Sequence, residues 1–297
     1  MAKLNHGFEL NQANHNTLVR NLLKRTREFS PQTIEEGSRW YPSAAADAIH
    51  VGEGNKEVGA AILSKVSPQQ AWGLNRQMGL QLVNTPSSAL NPLREAFHNK
   101  IPKDDLTKVR EDTLGGTPLK HPTTQAVLAA DNIRTGRNSI EQSFSFNKTG
   151  SNKTGDFALT IAGHPNQPPI DTHAYDAALD RYDIDYGKGS EHMKTGGAYS
   201  FVQSAYAKAH QQSLKQGLIP KDMSLGDYQA THWLHHQLGK ASISNRVEGT
   251  ARSNIRLSQR HAENNPVLNP ATHGLEPLAT EQDYTTRLQH FNAGAGR

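Results

Sequence analysis

The chain has 297 residues, enough to bury a hydrophobic core as one large domain or two small ones. Its hydrophobic content of 35% and mean hydropathy of −0.71 indicate a modest core with long polar segments, and exclude a wholly disordered chain. The net charge is only +4, so charge alone does not indicate a nucleic-acid partner.

Cysteine is missing from the sequence, and so are long apolar runs. The lack of cysteine excludes disulfides, cysteine-ligated iron–sulfur clusters, thiolate zinc sites and a cysteine nucleophile. No window approaches the roughly 18 apolar residues of a membrane span, and no signal-peptide pattern opens the chain. We therefore expect no membrane association and a cytoplasmic location.

Hydrophobic spacing predicts a mostly helical chain. Residues 14–28 have the pattern of a helix with Leu18, Leu22 and Leu23 on one side. Further helices are predicted at residues 35–50, 56–65, 68–83, 122–136, 153–163, 171–184, 195–216 and 224–238. In the helix after residue 170, Ile170, Ala174, Ala177 and Ala178 are expected to share a buried face. No stretch alternates at period two, so the predicted class is all-α.

Three consecutive segments are predicted from the changes in composition. Residues 1–34 form an N-terminal helix and arm, and residues 35–240 form the main domain. Within that domain, residues 84–121 are rich in Pro, Asn and Gly and are expected to be an irregular insertion. Residues 241–297 turn polar and are expected to be a basic tail that is partly disordered.

Basic residues are concentrated in two places. The first group is Lys240, Arg246, Arg252, Arg256 and Arg260; the second is Arg20, Lys24, Arg25 and Arg27. Such clusters suit a phosphate backbone, and we expect Lys240, Arg246 and Arg252 to contact DNA. Two solvated helix faces would give the same pattern.

An unusual combination of residues lies between positions 151 and 173. Lys153 and Thr154 open a helix of small residues, two prolines follow at 168–169, and residues 170–173 read Ile-Asp-Thr-His. The prolines place Asp171 at the start of the next helix. Taken alone, Asp171 is explained as a helix N-cap and Lys153 as a surface lysine.

The combination resembles the helix-hairpin-helix DNA glycosylases, the superfamily of endonuclease III. In that family a hairpin ending in Lys-Thr leads to a small-residue helix, a proline-bearing loop and then Val-Asp-Thr-His. The resemblance implies that Asp171 is the catalytic aspartate and that Lys153 matches the nucleophile of the bifunctional members. It extends over roughly residues 35–240 and implies a glycosylase-like helical bundle.

Two more segments bear on this resemblance. Residues 62–70 are similar to the family's Leu-Ser-x-Gln segment, whose glutamine fills the gap left by an extruded base; Gln69 is the first counterpart and Gln70 the second. An exposed glutamine at a helix start is the alternative. The hairpin departs from the family pattern, with one displaced glycine, but the backbone of Thr149, Gly150 and Ser151 is expected to contact a phosphate.

The sequence is closer to a divergent, phage-associated branch of that superfamily. The resemblance rests on Ser-Pro-Gln-Gln-Ala-Trp at residues 67–72 and Gln-Ala-Thr-His-Trp at residues 229–233. It implies excision of a damaged or bulky modified base, in anti-phage defence or repair. Two alternatives stay open: a transferase of the alpha-glutamyl/putrescinyl thymine pyrophosphorylase type, and a non-catalytic DNA-binding module.

The expected chemistry gives these residues their roles. Cleaving a nucleoside C–N bond builds positive charge on the sugar, which a carboxylate stabilises, whereas a lysine would form a Schiff base. The target base must first leave the duplex and enter a pocket. We expect Trp40, Tyr41, Trp72, His173 and Tyr175 to form that pocket, although aromatic residues are more often part of a core.

No metal or other cofactor is expected. His232, His235 and His236 share a helical face, but no cysteine or carboxylate at ligand spacing accompanies them. The partner implied by the resemblance is double-stranded DNA with one base extruded, bound by a monomer.

Overall fold

The computed structural model describes residues 3–4, 8–68, 70–114, 123–144, 153–182 and 197–295. Within these ranges the chain is all-α, which confirms the predicted fold class. The described β structure is one antiparallel pair of two-residue strands, β1 (Lys3–Leu4) and β2 (Phe8–Glu9). Across the described ranges, no helix combines the length and apolar character needed to span a bilayer.

Helices make up most of the described ranges. They are α1 (Gln12–Thr26), α2 (Pro31–Val51), α3 (Lys56–Val66), α4 (Trp72–Asn84), α5 (Asn91–His98), α6 (Lys103–Thr113), α7 (Thr124–Arg134), α8 (Ile140–Phe144), α9 (Lys153–Ala162), α10 (Thr172–Ala178), α11 (Ala198–Lys215), α12 (Leu225–Ile243), α13 (Asn245–Asn264) and α14 (Glu281–Ala295). Short 3-10 helices lie at Ser87–Leu90, Pro266–Leu268 and Pro270–His273.

Two segments are more regular than the sequence predicted. The expected irregular insertion contains α5 and α6, because Pro92 and Pro102 lie at helix starts, where the missing N–H costs nothing. The expectation of a loosely ordered tail after residue 241 is also wrong. Helices α13 and α14 lie there, and buried residues such as Leu268 and Leu278 anchor the chain between them.

Several helices have different bounds from those expected, among them α4 and α10. Helix α4 begins at Trp72, after Pro68, and no side chain of the described residues caps its start. Helix α10 ends at Ala178 rather than near 184, because Asp180 adopts a left-handed conformation with φ of 56°.

The chain forms two compact units, neither of which is continuous in sequence. Unit 1 comprises Met1–Pro42, Phe146–Thr250 and Gln282–Arg297; unit 2 comprises Ser43–Ser145 and Ala251–Glu281. This division differs from the three consecutive segments expected from composition. Changes in composition along a chain mark consecutive segments, whereas these units join segments that are far apart in sequence.

Unit 1 is built around α1, α10, α11 and α12. The predicted apolar face of α1 is confirmed, since Leu18 and Leu22 are fully buried. The predicted face from Ile170 to Ala178 is confirmed in the same way. Tyrosines fill much of this core, and Tyr206 donates a hydrogen bond from its hydroxyl to Ala174 O at 2.9 Å. The core therefore holds the start of α10, where Asp171 lies, against α11 and α12.

Unit 2 packs α3 against α4 and α7. Residues 60–63 of α3 are completely buried. A buried ion pair joins Arg76 of α4 to Asp47 of α2, with Nη2 and Oδ1 2.8 Å apart. Burial raises the pKa of Asp47 to about 6 even though Arg76 acts in the opposite direction. This pair thus lies in a strongly desolvated part of unit 2.

Candidate functional site

Asp171 lies at the N-terminus of α10 and uses both oxygens of its carboxylate. Oδ1 accepts a hydrogen bond from the backbone N–H of Ala174 at 2.8 Å, which is an N-cap. Oδ2 accepts a hydrogen bond from Trp233 Nε1 of α12 at 3.0 Å. The carboxylate is therefore both the cap expected from sequence and a link between two helices. Its orientation is fixed by two donors.

A buried polar network holds the loop before Asp171. The Tyr199 hydroxyl donates to Asp156 Oδ2 at 2.7 Å and accepts from the N–H of Ile170 at 3.1 Å. Gln203 Nε2 donates to the same Asp156 oxygen at 3.1 Å and to Pro168 O at 3.0 Å. Burial raises the pKa of Asp156. Sequence reasoning missed these three side chains, because only the fold brings α9 and α11 to the proline loop.

Aromatic side chains of unit 1 cluster around Trp40, which lies beside Trp233. The ring centroid of Trp40 lies 6.0 Å from that of Trp233, 5.8 Å from Phe157 and 4.7 Å from Tyr41. Trp40 and Trp233 are partly exposed, whereas Tyr41 is buried and donates from its hydroxyl to Gln229 Oε1 at 3.0 Å. Of the predicted pocket residues, Trp40 is thus close to Asp171 through Trp233, whereas Tyr41 is buried beside it and does not present its ring to a base.

Gly37 permits the close crossing that brings Trp40 to Trp233. A Cβ on Gly37 of α2 would lie 2.1 Å from Thr231 Oγ1 and 2.7 Å from Thr231 Cα of α12. Thr231 is fully buried, so it has no room to move away. The absence of a side chain at position 37 is therefore needed for the packing of these two helices.

His173 and Lys153 belong to the same neighbourhood. The His173 ring lies 6.2 Å from that of Trp233, and its pKa is lowered, chiefly by burial. The charge of Asp171 raises the pKa of this imidazole, and that of Lys153 lowers it further. Both predicted catalytic residues therefore act electrostatically on one side chain. Lys153 is exposed, as the first residue of α9.

Other predicted site residues are placed differently. Tyr175 is 1% exposed in the core of unit 1, where burial raises its pKa to about 12, so it is not available as a pocket wall. Trp72 and Gln70 belong to unit 2, at or just before the start of α4. The remaining predicted DNA contacts, Gln69, Thr149, Gly150 and Ser151, lie outside the described residues.

The prediction that both basic clusters face a phosphate backbone is wrong for two of their residues. Lys240 is 2% exposed and its Nζ lies 2.9 Å from Asp176 Oδ2, so this lysine does not reach a phosphate at the surface. Arg25 is fully buried, with Nε 3.1 Å from Asp180 Oδ1. Lysine and arginine in the middle of an amphipathic pattern can be buried when a carboxylate neutralises them.

Basic residues on α13 remain at the surface. Arg246 is exposed. Arg252 and Arg256 form ion pairs with Glu281, at 3.6 and 2.6 Å. This pairing reduces the positive charge that α13 presents, so Arg246 is the stronger of the predicted DNA contacts on this helix.

The three histidines of α12 are buried in unit 1. His236 Nδ1 lies 3.1 Å from Arg25 Nη1, and since arginine cannot accept, the imidazole accepts through Nδ1. Burial lowers the pKa of His232 and His236, and lowers that of His235 to about 4. Across the ranges that the structure describes, no group of three or more His, Asp or Glu side chains is arranged to hold a metal ion.

The fold and the site together define an all-α protein with a capped carboxylate beside a partly exposed aromatic cluster. The chain belongs to a family of unknown function, DUF7178, whose model matches residues 7–237. That match includes Asp171, Lys153, Trp40 and Trp233. No curated protein and no solved structure matches the chain.

Proposed function

We propose that this protein is a DNA glycosylase that hydrolyses the N-glycosidic bond of a damaged or modified base. One observation carries the proposal: the Asp171 carboxylate is held by Ala174 and Trp233 beside a partly exposed aromatic cluster. The sequence resemblance of residues 151–173 supports the same assignment. A bulky modified base, of the kind found in phage DNA, is the substrate class that we favour.

Asp171 is suited to stabilise positive charge on a sugar. Each carboxylate oxygen has about two lone-pair positions, and each accepts one hydrogen bond within the protein. The remaining positions can face a substrate or a water molecule. Because two donors already orient the group, it needs little reorganisation when an oxocarbenium-like transition state forms.

The neighbouring aromatic rings are suited to hold an extruded base. Trp40 and Trp233 are partly exposed, and their ring centroids lie 6.0 Å apart at an interplanar angle of 57°. A base stacked on one such ring gains about 1–3 kcal/mol, which offsets part of the cost of leaving the duplex. Trp233 would then both orient Asp171 and contact the base.

Lys153 is assigned a supporting role. It is exposed at the first residue of α9, and no described acceptor fixes its ammonium group. A nucleophile must be aimed to within about 1 Å of its target, so we favour hydrolysis by Asp171 and water over imine formation. In this mechanism Lys153 binds a phosphate near the site.

The test is release of a base from DNA. The protein is incubated with duplexes that each carry one modified base, and mass spectrometry identifies the released products. Release of a free base by the native protein but not by the Asp171→Asn variant supports the proposal. Transfer of a group onto a base that stays in the DNA would instead support the transferase. DNA binding without any change in the bases would make the chain a binding module.

A further inference from the structure

Three arginines of unit 2 converge on a single buried carboxylate. Asp131 of α7 is completely buried. Arg134 contacts its Oδ1 through Nη2 at 2.6 Å and Nε at 3.2 Å, and Arg137 Nη1 lies 3.3 Å from Oδ2. Arg94 Nη2 also donates to Oδ2, and so does the Ser87 hydroxyl at 2.7 Å. The carboxylate therefore has all of its acceptor positions in use.

The charges of this cluster do not cancel. One carboxylate neutralises one guanidinium, and none of the three arginines pairs with a second carboxylate among the described residues. An excess of about two positive charges remains. Burial, together with the charges of Arg137 and Arg134, lowers the pKa of Arg94 against the opposite effect of Asp131. The guanidinium groups thus repel one another.

Donors also remain in excess. Each guanidinium carries five N–H groups, and the Arg137 side chain, 48% exposed, commits one nitrogen to Asp131. Arg94 Nε is buried and has no hydrogen-bond partner among the residues that the structure describes. A buried donor without an acceptor destabilises the folded state. Arg94 Nη1 also donates to Asn132 Oδ1 at 3.0 Å, and Arg134 Nη2 donates to Thr85 O at 2.9 Å. The positive charge and unused donors that an incoming anion meets first are therefore those of the exposed Arg137.

Neutralising Asp131 does not require three arginines. Arg134 lies one turn away on the same helix and contacts Oδ1 through two nitrogens. A single arginine in this arrangement meets the need of a buried carboxylate for an opposite charge. Arg94 and Arg137 add charge repulsion, and the need to neutralise Asp131 does not explain their presence.

We propose that Arg94, Arg134 and Arg137 form a binding site for a phosphate group, with Arg137 facing the solvent. Asp131 holds the guanidiniums in place, so that little side-chain freedom is lost when the anion binds. Guanidinium groups match the geometry of phosphate oxygens and bind them through paired hydrogen bonds. The assignment of this phosphate to a DNA backbone rests on the proposed function.

Thermal unfolding with inorganic phosphate tests the site itself. Sodium phosphate is compared with sodium chloride at equal ionic strength. The native protein should show a Tm that rises with phosphate concentration, because a ligand that binds only the folded state stabilises it. Arg137→Gln should lose this rise. It should keep a Tm at least as high as that of the native protein without phosphate, because one repelling charge is gone.

Lys108→Gln is the matched control, since Lys108 is an exposed cation of α6 in the same unit. This variant should retain the response to phosphate. The inference is overturned if the native protein does not respond to phosphate, or if Arg137→Gln responds as strongly as the native protein. A lower Tm of Arg137→Gln without phosphate, and no phosphate response in the native protein, would make the cluster purely structural.

A second measurement separates this inference from the proposed function. Affinity for duplex DNA is measured over a range of salt concentrations. Arg137→Gln should reduce the slope of log affinity against log salt by about 0.9, the value for one phosphate contact. A phosphate response without any DNA binding would support the site, with a phosphorylated small molecule as its ligand, and overturn the proposed function. DNA binding with an unchanged slope and no phosphate response would overturn the site alone.

Discussion

Trp233 Nε1 donates a hydrogen bond to Asp171 Oδ2 at 3.0 Å, while Oδ1 of the same carboxylate caps α10. Both contacts require an acceptor, and a carboxylate supplies one at each oxygen. An asparagine supplies an acceptor on one side only. Replacing Asp171 by asparagine therefore keeps the N-cap and removes the carboxylate, which separates the capping role from a catalytic role.

Asp171→Asn should abolish base release while the protein stays folded. Asparagine is an adequate N-cap, so α10 is retained. Its amide NH₂ then faces the indole N–H of Trp233, and the lost hydrogen bond should lower the free energy of unfolding by about 1–3 kcal/mol. Urea unfolding and mass spectrometry of released bases measure the two effects. Near-normal turnover would show that Asp171 is a cap and no more.

The matched control removes the donor instead of the acceptor. Trp233→Phe keeps an aromatic ring beside Trp40 but lacks the indole N–H. In the double variant with Asp171→Asn, most of the stability lost through the donor–donor contact should return, whereas activity should not. A double-mutant cycle measures this coupling. Additive losses would contradict the assigned hydrogen bond.

Lys153→Ala should leave base release in place and weaken DNA binding. The reason is that Lys153 is exposed at the start of α9 and is expected to contact a phosphate rather than the sugar. Borohydride trapping provides the measurement, since it captures an imine between a lysine and C1′ of the sugar. Trapping in the native protein that disappears in Lys153→Ala would show that the mechanism is bifunctional.

DNA binding should weaken with salt through exposed rather than buried cations. Arg246→Gln should reduce the slope of log affinity against log salt by about 0.9. Lys240→Met should leave the slope unchanged, because its ammonium lies 2.9 Å from Asp176 in the interior. Removal of one partner of a buried pair should instead destabilise the protein by about 3–5 kcal/mol. A salt-independent affinity for DNA would contradict the nucleic-acid proposal.

Stability should fall as the pH drops below the ordinary histidine pKa of about 6.5. Burial lowers the pKa of His232, His235 and His236, so the unfolded chain binds protons that the folded chain does not. Each such group contributes a slope of about 1.4 kcal/mol per pH unit. For His235, stability falls as the pH drops from about 6.5 to about 4. Above pH 6.5 this histidine is neutral in both the folded and the unfolded chain, so the loss is absent there.

Urea unfolding between pH 4.5 and pH 7.5 measures this slope. His235→Gln should reduce it by about 1.4 kcal/mol per pH unit, since one titrating group is removed. His98→Gln, at an exposed position in α5, should not change it. Glu28 Oε2 lies 3.6 Å from His235 Nε2, but this 43% exposed side chain does not offset the effect of burial on the pKa of His235. An equal slope in His235→Gln and His98→Gln would contradict the assignment of this pH dependence to the buried His235.

The elements with strong local signals were predictable from the sequence. The apolar face of α1 and the face from Ile170 to Ala178 follow helical periodicity, and both are confirmed. Prolines misled the prediction between residues 84 and 121, because Pro92 lies in the first turn of α5 and Pro102 directly precedes α6. A proline suits the first turn of a helix as well as a loop, so sequence alone does not distinguish the two.

The sequence by itself determined the all-α class and the position of Asp171 at a helix start, because both depend on residues within a few positions of each other. The tertiary structure decided which polar groups meet. Trp233 lies 62 positions after Asp171, and Tyr199 lies 43 after Asp156, so no local pattern predicts either contact. Lys240 and Arg25 were expected at the surface, and only the fold brings Asp176 and Asp180 to them. Burial and charge pairing depend on contacts between distant segments, which packing of the whole unit creates.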